Sequence, residues 1–187
     1  MKGHVPTPSP LADHMTAKLF DENPPTEGDR ILYPGCGKGP FIEAVHRYLT
    51  TNDLPMVEGI GIELDPAHLE DAREQHGDKN VELLERDFLA DVDDLGEFEY
   101  IIGNPPYVPI EGLNEQEKTD YKSRFETAAG RFDLYVLFFE QALRLLDSGG
   151  RLCFVTPEKF EYTETTAPLR TLLASFHVEE IEHVDED

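Results

Sequence analysis

This chain is short of positive charge. Its 187 residues carry 16 lysines and arginines against 39 aspartates and glutamates, a formal net charge of −23. That balance disfavours nucleic acid as a partner at ordinary salt, because phosphate affinity rests on lysine and arginine. A second reading is a salt-loving host, where screening weakens surface repulsion and an acidic surface keeps the protein dissolved. The acids are spread along the whole chain rather than gathered into a tail, which suits the second reading. Unfolding in dilute buffer is then the expected result. Full stability there, followed by circular dichroism, would refute it.

Other absences narrow the class further. No apolar run is long enough to span a membrane, and no signal-peptide pattern opens the chain, so a cytoplasmic location is expected. There are only two cysteines, Cys36 and Cys153. One sits in a Gly-rich loop and one in a buried-strand pattern, so free thiols are expected rather than a disulfide. The seven histidines are scattered, and no Cys/His cluster has metal-ligand spacing, so no metal is expected. No repeat, low-complexity stretch or linker divides the chain, and its length suits one domain with a sizeable core.

What is present is an alternation of strands and helices. Leu11, Met15, Leu19 and Phe20 recur at helical spacing behind Ser9, a candidate N-cap, after a proline-rich, extended Met1 to Pro10. Arg30–Tyr33 reads as the first strand, Pro34–Gly39 as a Gly-rich turn, and Pro40 to about Leu49 as a helix. Met56–Glu63 is a second strand. A helix from Asp65-Pro66 to about His76 follows, stopped by Gly77. Asn80–Arg86 and Phe98–Gly103 are the third and fourth strands. Gly112–Gly130 is polar and weakly periodic, which predicts a mobile excursion. A helix capped by Asp133 is predicted to run to Leu146, apolar nearly all round and ended by Gly149-Gly150. Arg151–Thr156 is strand five, Ala167–Phe176 a helix, and His177–Val184 a sixth strand. The fold class is therefore α/β, a doubly wound, mostly parallel sheet with right-handed crossovers.

Chemistry-bearing residues fall at the strand ends. Asn104-Pro105-Pro106-Tyr107 follows strand four, at the carboxyl edge where open α/β sheets bind ligands. Asn104 both donates and accepts. Pro105 and Pro106 lack an N–H and have fixed φ, so their carbonyls are rigid acceptors. Tyr107 offers a flat face for a base. Together these make a cradle for a planar group bearing an NH2, and a proline-rich turn with a capping asparagine is the plain alternative. Gly35-Cys36-Gly37-Lys38-Gly39 lies after strand one. A phosphate loop would need Ser or Thr after Lys38, and a dinucleotide loop would want glycine at Pro40. A loop for S-adenosylmethionine needs only the G-x-G turn, and a ligand-free turn stays open beside it. Glu63, roughly 25 residues past the loop, is placed to hold ribose hydroxyls, and Asp65 to cap its helix. Asp87 could accept from an adenine amino group, with Phe88 against the ring. A solvated loop acid is the alternative for Asp87.

The combination resembles the adenine-specific DNA methyltransferases of the gamma arrangement, with the cofactor half first. Thr7-Pro8-Ser9-Pro10 resembles their N-terminal segment, which touches the methionine part of the cofactor. Pro34-Gly35-Cys36-Gly37-Lys38-Gly39-Pro40-Phe41 resembles their Gly loop. Glu63, Asp87, Asn104–Tyr107, Asp133-Leu134-Tyr135 and Gly149–Pro157 follow in the same order. The resemblance implies a class I, Rossmann-like methyltransferase fold with a sheet in the order 3-2-1-4-5-6, lacking the family's last strand. It implies an N-terminal cofactor segment (1–29), a cofactor half (30–103) and a catalytic half (104–187). The implied cofactor is S-adenosylmethionine, held by Thr7, Pro34, Gly35, Cys36, Gly37, Glu63, Asp87, Phe88 and Asn104. The implied reaction is direct, in-line methylation of a flipped DNA adenine, with Asn104 and the Pro105 carbonyl accepting from its amino group and Tyr107 stacking on it. Two departures stand out. Tyr33 occupies a place where the family has an acid or amide. Thr166 stands where a second stacking aromatic is usual, so Phe160 or Tyr162 is expected to substitute. No segment matches the family's DNA-recognition domain, so that domain is expected from a longer chain or a partner. A glutamine side chain of a release factor, or an RNA, would also fit the cradle as acceptor. A cofactor-binding subunit without catalysis is the reading from another class.

Overall fold

The computed structural model describes residues 6–90 and 92–184. The first five residues of the proline-rich opening and the last three of the acidic end lie outside them. Five strands, β1 (Arg30–Pro34), β2 (Glu58–Glu63), β3 (Val81–Glu85), β4 (Phe98–Gly103) and β5 (Leu146–Phe154), form one sheet in the order β3-β2-β1-β4-β5. All four pairings are parallel. With helices in the crossovers, both faces of the sheet are covered, which suits its apolar central strands.

Side-chain alternation along β1 and β4 sorts the core into two layers. Ile31, Tyr33, Tyr100 and Ile102 pack under α1 (Ser9–Phe20) and α2 (Pro40–Thr51). Helix α2 presents Phe41, Ile42, Val45 and Leu49, a stripe at helical period. On the other face, Leu32, Ile62 and Ile101 pack under α4 (Glu115–Arg124) and α5 (Leu134–Arg144). The far side of α5 meets α6 (Ala167–Leu173) through Tyr135, Val136, Phe139, Phe160 and Leu169. Helix α3 (Pro66–His76) links β2 to β3, and Asp65 caps it as expected, accepting the Ala67 N–H at 3.0 Å.

Several expectations fail, each for a local reason. Pro8 rather than Ser9 precedes the first turn of α1, because Pro10 fits the helix's opening positions. Asp133 makes no capping bond; its carboxylate pairs instead with Lys159. Helix α5 stops at Arg144, two residues early, and Gly149-Gly150 fall inside β5, where the register against β4 shifts between Phe98 and Tyr100. The segment Gly112–Gly130 is docked. Its α4 has a full capping box from Asn114 and Glu117, and Tyr121, Phe125, Ala128 and Phe132 enter the main core.

His177–Val184 forms no strand, so among the described residues the sheet ends at β5 and the expected sixth position is unfilled. Val178 and Val184 would face one side of a strand and Ile181 the other, so no apolar face specifies a register. Side-chain pairs hold the segment instead: Glu180 to Lys18, Glu182 to His14, Glu179 to Arg151 and His183 to Glu161. Phe176, Val178, Ile181 and Val184 stay exposed.

Candidate active site

The Gly loop, Glu63, Asp87 and Asn104–Tyr107 all lie at the carboxyl ends of their strands, along one edge of the sheet. In the loop, Gly35, Gly37 and Gly39 have φ of +62°, +56° and +86°, a region in which side chains are strained. The Cys36 N–H donates to the Ile62 carbonyl at 2.9 Å, tying the loop to β2. The Cys36 thiol is pushed up to about 12 by burial and then by the nearby Glu63 charge, so it stays protonated. Both described cysteines are free thiols, as expected.

Glu63 is 2% exposed. One carboxylate oxygen accepts the Gly37 N–H at 2.9 Å and the other the Asp65 N–H at 2.7 Å. A carboxylate oxygen has two acceptor positions, so each can still take a hydroxyl. A pair of carboxylate oxygens with spare acceptor positions could hold the ribose diol of S-adenosylmethionine. Asp87 Oδ1 accepts the Leu89 N–H at 2.9 Å. The Phe88 ring is buried against Phe138, 5.1 Å between centroids, so it belongs to the core and its position offers a ligand backbone groups rather than a stacking face. Tyr33 is likewise core, buried under α1 and α2.

Asn104 is held at both ends of its amide. Nδ2 donates to Thr7 Oγ1 at 3.1 Å, and Oδ1 accepts from Tyr107 Oη at 2.7 Å. Tyr107 Oη also lies 3.3 Å from the Val155 carbonyl, just beyond β5. The Tyr107 ring meets buried Tyr135 edge-on at 6.1 Å. Pro105 and Pro106 are buried, which fixes the turn. Thr166 is sealed, its hydroxyl 2.9 Å from the Phe160 and Thr163 carbonyls. Phe160 is packed into the α5–α6 cluster, whereas Tyr162 is 65% exposed. Two cavities, of about 460 and 250 Å³, are lined by none of these residues.

Three contributors were missed in the sequence. Phe138 reaches to 3.5 Å from where a Gly35 Cβ would stand, joining the Gly loop to Phe88. Only its place on a helix apolar nearly all round hinted at this. Glu140 is buried and accepts from the Glu126 and Thr127 N–H groups and the Thr127 hydroxyl, stapling the end of the 112–130 segment to α5. His76, at the end of α3, is buried with Nε2 3.1 Å from the Lys38 carbonyl of the Gly loop. A Cβ on Gly39 would stand 2.4 Å from its ring.

Burial holds the His76 imidazole below its ordinary 6.5, and Lys79 adds to this; the Lys38 carbonyl, Glu43 and Asp78 oppose it. A histidine whose folded value is depressed is charged more readily in the unfolded chain. Its neutral form therefore stabilises the fold at high pH, and that stability is lost as pH falls below about 6.5. The expected result is a melting temperature that drops from pH 7 to pH 5 in wild type and drops less in His76→Gln. Equal slopes would show that other groups carry the dependence.

Comparisons with known proteins show the fold and the family of the chain. The type II methyltransferase M.TthHB8I of Thermus thermophilus is 34% identical over 181 residues, 92% of this chain and 38% of that protein. M.PaeR7I of Pseudomonas aeruginosa is 29% identical, covering 85% of this chain and 32% of that protein. The chain thus spans 32 to 38% of the length of these relatives. In fold it is similar to the methyltransferase subunit of a type I restriction-modification system from Streptococcus thermophilus (TM-score 0.74, 20% identity, 94% of this chain and 39% of that one). It is similar also to a class I S-adenosylmethionine-dependent methyltransferase structure from Listeria monocytogenes (TM-score 0.71, 20% identity, 89% and 50%). The sheet is therefore that of the class I, Rossmann-like methyltransferases. A family profile described as Eco57I restriction-modification methylase matches residues 50–187, which include Glu63, Asp87 and Asn104 to Tyr107, and the chain belongs to that family.

Proposed function

We propose that this chain is the S-adenosylmethionine-binding catalytic domain of an enzyme that methylates the exocyclic amino group of adenine in DNA. The observation that carries the reading is the fixed amide of Asn104, whose oxygen is oriented by Tyr107 at the carboxyl end of β4. Thr7, the Gly loop, Glu63 and Asp87 hold the cofactor. When bound, S-adenosylmethionine would supply an electrophilic methyl group to the target nitrogen. Asn104 Oδ1 and the Pro105 carbonyl accept from the amino group and stabilise the positive charge that grows on it. Tyr107 stacks on the flipped base, and its bond to Asn104 couples stacking to orientation. With Phe160 packed away, Tyr162 is the ring available to the base's second face.

Recognition of a DNA sequence comes from residues or a partner beyond this chain. Four cations here already have acidic neighbours: Lys159 with Asp133, Arg131 with Glu111, Lys118 with Glu115, and Lys38 with Asp71. Cations so neutralised contribute little to phosphate binding. The test is incubation with labelled S-adenosylmethionine and DNA, RNA or a release factor in parallel. Label in DNA adenine, weak without a recognition module, is expected. Label in RNA or in a glutamine side chain would replace the DNA reading. Cofactor binding with no transfer to any acceptor would favour a non-catalytic subunit.

A further inference from the structure

We infer that Arg124 and Tyr121 of α4 are positioning residues for Asp87, so that this helix sets how well the cleft reads the adenine of the cofactor. The inference rests on the adenine role proposed for Asp87. The turn after β3 makes two bonds of its own: the Leu89 N–H to Asp87 Oδ1 at 2.9 Å and the Ala90 N–H to the Asp87 carbonyl at 3.0 Å. From outside, Gln141 Nε2 of α5 lies at the long distance of 3.5 Å from the Ala90 carbonyl. A guanidinium from α4 also holds the turn. Arg124 Nη1 donates to the Leu89 carbonyl.

That guanidinium is itself braced. Nε and Nη2 bind Asp120 one turn back, at 3.0 and 2.6 Å. The group also lies over the rings of Tyr121 and Phe125, at 5.7 and 5.3 Å. The Arg124 carbonyl takes a bond from Arg144 of α5 at 2.9 Å. Tyr121 is 8% exposed and packs in the same cluster as Phe88 and Leu89. Its hydroxyl is pushed up to about 12, first by burial and next by the charge of Asp87. Helix α4 begins just after the Asn104–Tyr107 segment. Its stem is closed by the Pro109–Asp133 bridge and by the Leu134 N–H to Val108 carbonyl bond at 2.8 Å. The C-terminal end of α4 thus touches the cofactor turn, while its stem is closed next to the segment that follows Tyr107.

The experiment is calorimetry of the 187-residue chain with S-adenosylhomocysteine and with its 6-oxo, inosine counterpart. The counterpart presents an acceptor where adenine presents an amino donor. Wild type should prefer the adenosyl ligand by roughly tenfold or more, the size of one hydrogen bond to a charged group. Arg124→Met should reduce that preference several-fold, chiefly by weakening the adenosyl ligand, and Arg124→Lys should recover most of it. Tyr121→Phe, which removes one hydroxyl from a packed ring, should reduce it less. It decides the matter if Arg124→Met is too unstable to titrate. Variants that melt earlier but keep the wild-type preference, while Asp87→Ala loses it, would overturn the inference and leave the Asp87 reading standing. A wild type that binds both ligands equally would overturn both.

Discussion

Asn104→Ala is expected to abolish methyl transfer while weakening S-adenosylmethionine binding only modestly, through its lost bond to Thr7. The lost group is the acceptor aimed at the target amine, and removing one preorganised polar group from a reacting centre costs roughly 100- to 1,000-fold in rate. A second effect adds to it. Tyr107 Oη loses its 2.7 Å partner and Thr7 its 3.1 Å donor, so the stacking ring and the N-terminal segment both loosen. Asn104→Asp separates the two contributions. It keeps the acceptor for Tyr107 and for the substrate but loses the donor to Thr7. Its rate should fall between the alanine variant and wild type. Single-turnover transfer and cofactor titration on the same samples are the measurement. Parallel loss of both would mean that Asn104 supports the fold rather than the reaction.

Glu63→Ala carries the largest expected effect on the cofactor. Loss of the ribose contact should weaken binding by about 1–3 kcal/mol, which is roughly five- to 150-fold in Kd. The geometry adds a cost to stability, because Glu63 also satisfies the Gly37 and Asp65 N–H groups. A buried N–H left without a partner costs about 1–3 kcal/mol. Glu63→Gln repairs only half of this. Its single carbonyl oxygen serves one N–H, and its NH2 faces the other donor to donor. Both variants should therefore melt earlier and bind more weakly. Calorimetry on folded protein showing unchanged affinity would sink the ribose role.

The parts of the site legible in the sequence were those whose chemistry is carried by residue type at a strand end. Asn104–Tyr107, the Gly loop, Glu63 and Asp87 need no long-range information to be noticed. Strand-helix alternation then places them on one edge of the sheet. What stayed hidden depends on partners far away in sequence. Nothing near Glu63 says that its oxygens are already tied to Gly37 and Asp65, and nothing near His76 says that it ends under Lys38. The 112–130 segment looked mobile because charged residues outnumber the few apolar ones. Yet Tyr121, Phe125, Ala128 and Phe132, spaced four, three and four apart, were the signal that it docks. The reverse error came at His177–Val184, where strand-forming residue types were present without an alternating face. Carboxylates drawn to Lys18, His14 and Arg151 decided the outcome there.

An all-parallel sheet has a consequence for how the molecule assembles in time. Strand β1 pairs with β2 across 28 residues (Arg30 to Glu58) and with β4 across 69 (Ile31 to Tyr100). Closing the longer loop in a disordered chain costs about 0.8 kcal/mol more by the logarithmic dependence of closure entropy on length. No hairpin offers a shortcut, since parallel neighbours cannot be joined by a tight turn, and such long-range pairing slows folding. The β1-β2-β3 half is thus expected to acquire protected amides before β4 docks. Asn104 follows β4 directly, so the amide proposed to orient the target amine would be set among the last elements of the nascent fold. Pulse-labelled hydrogen exchange during refolding reads the sequence of events directly. Protection of Ile101 and Ile102 ahead of Ile60 and Ile62 would reverse it.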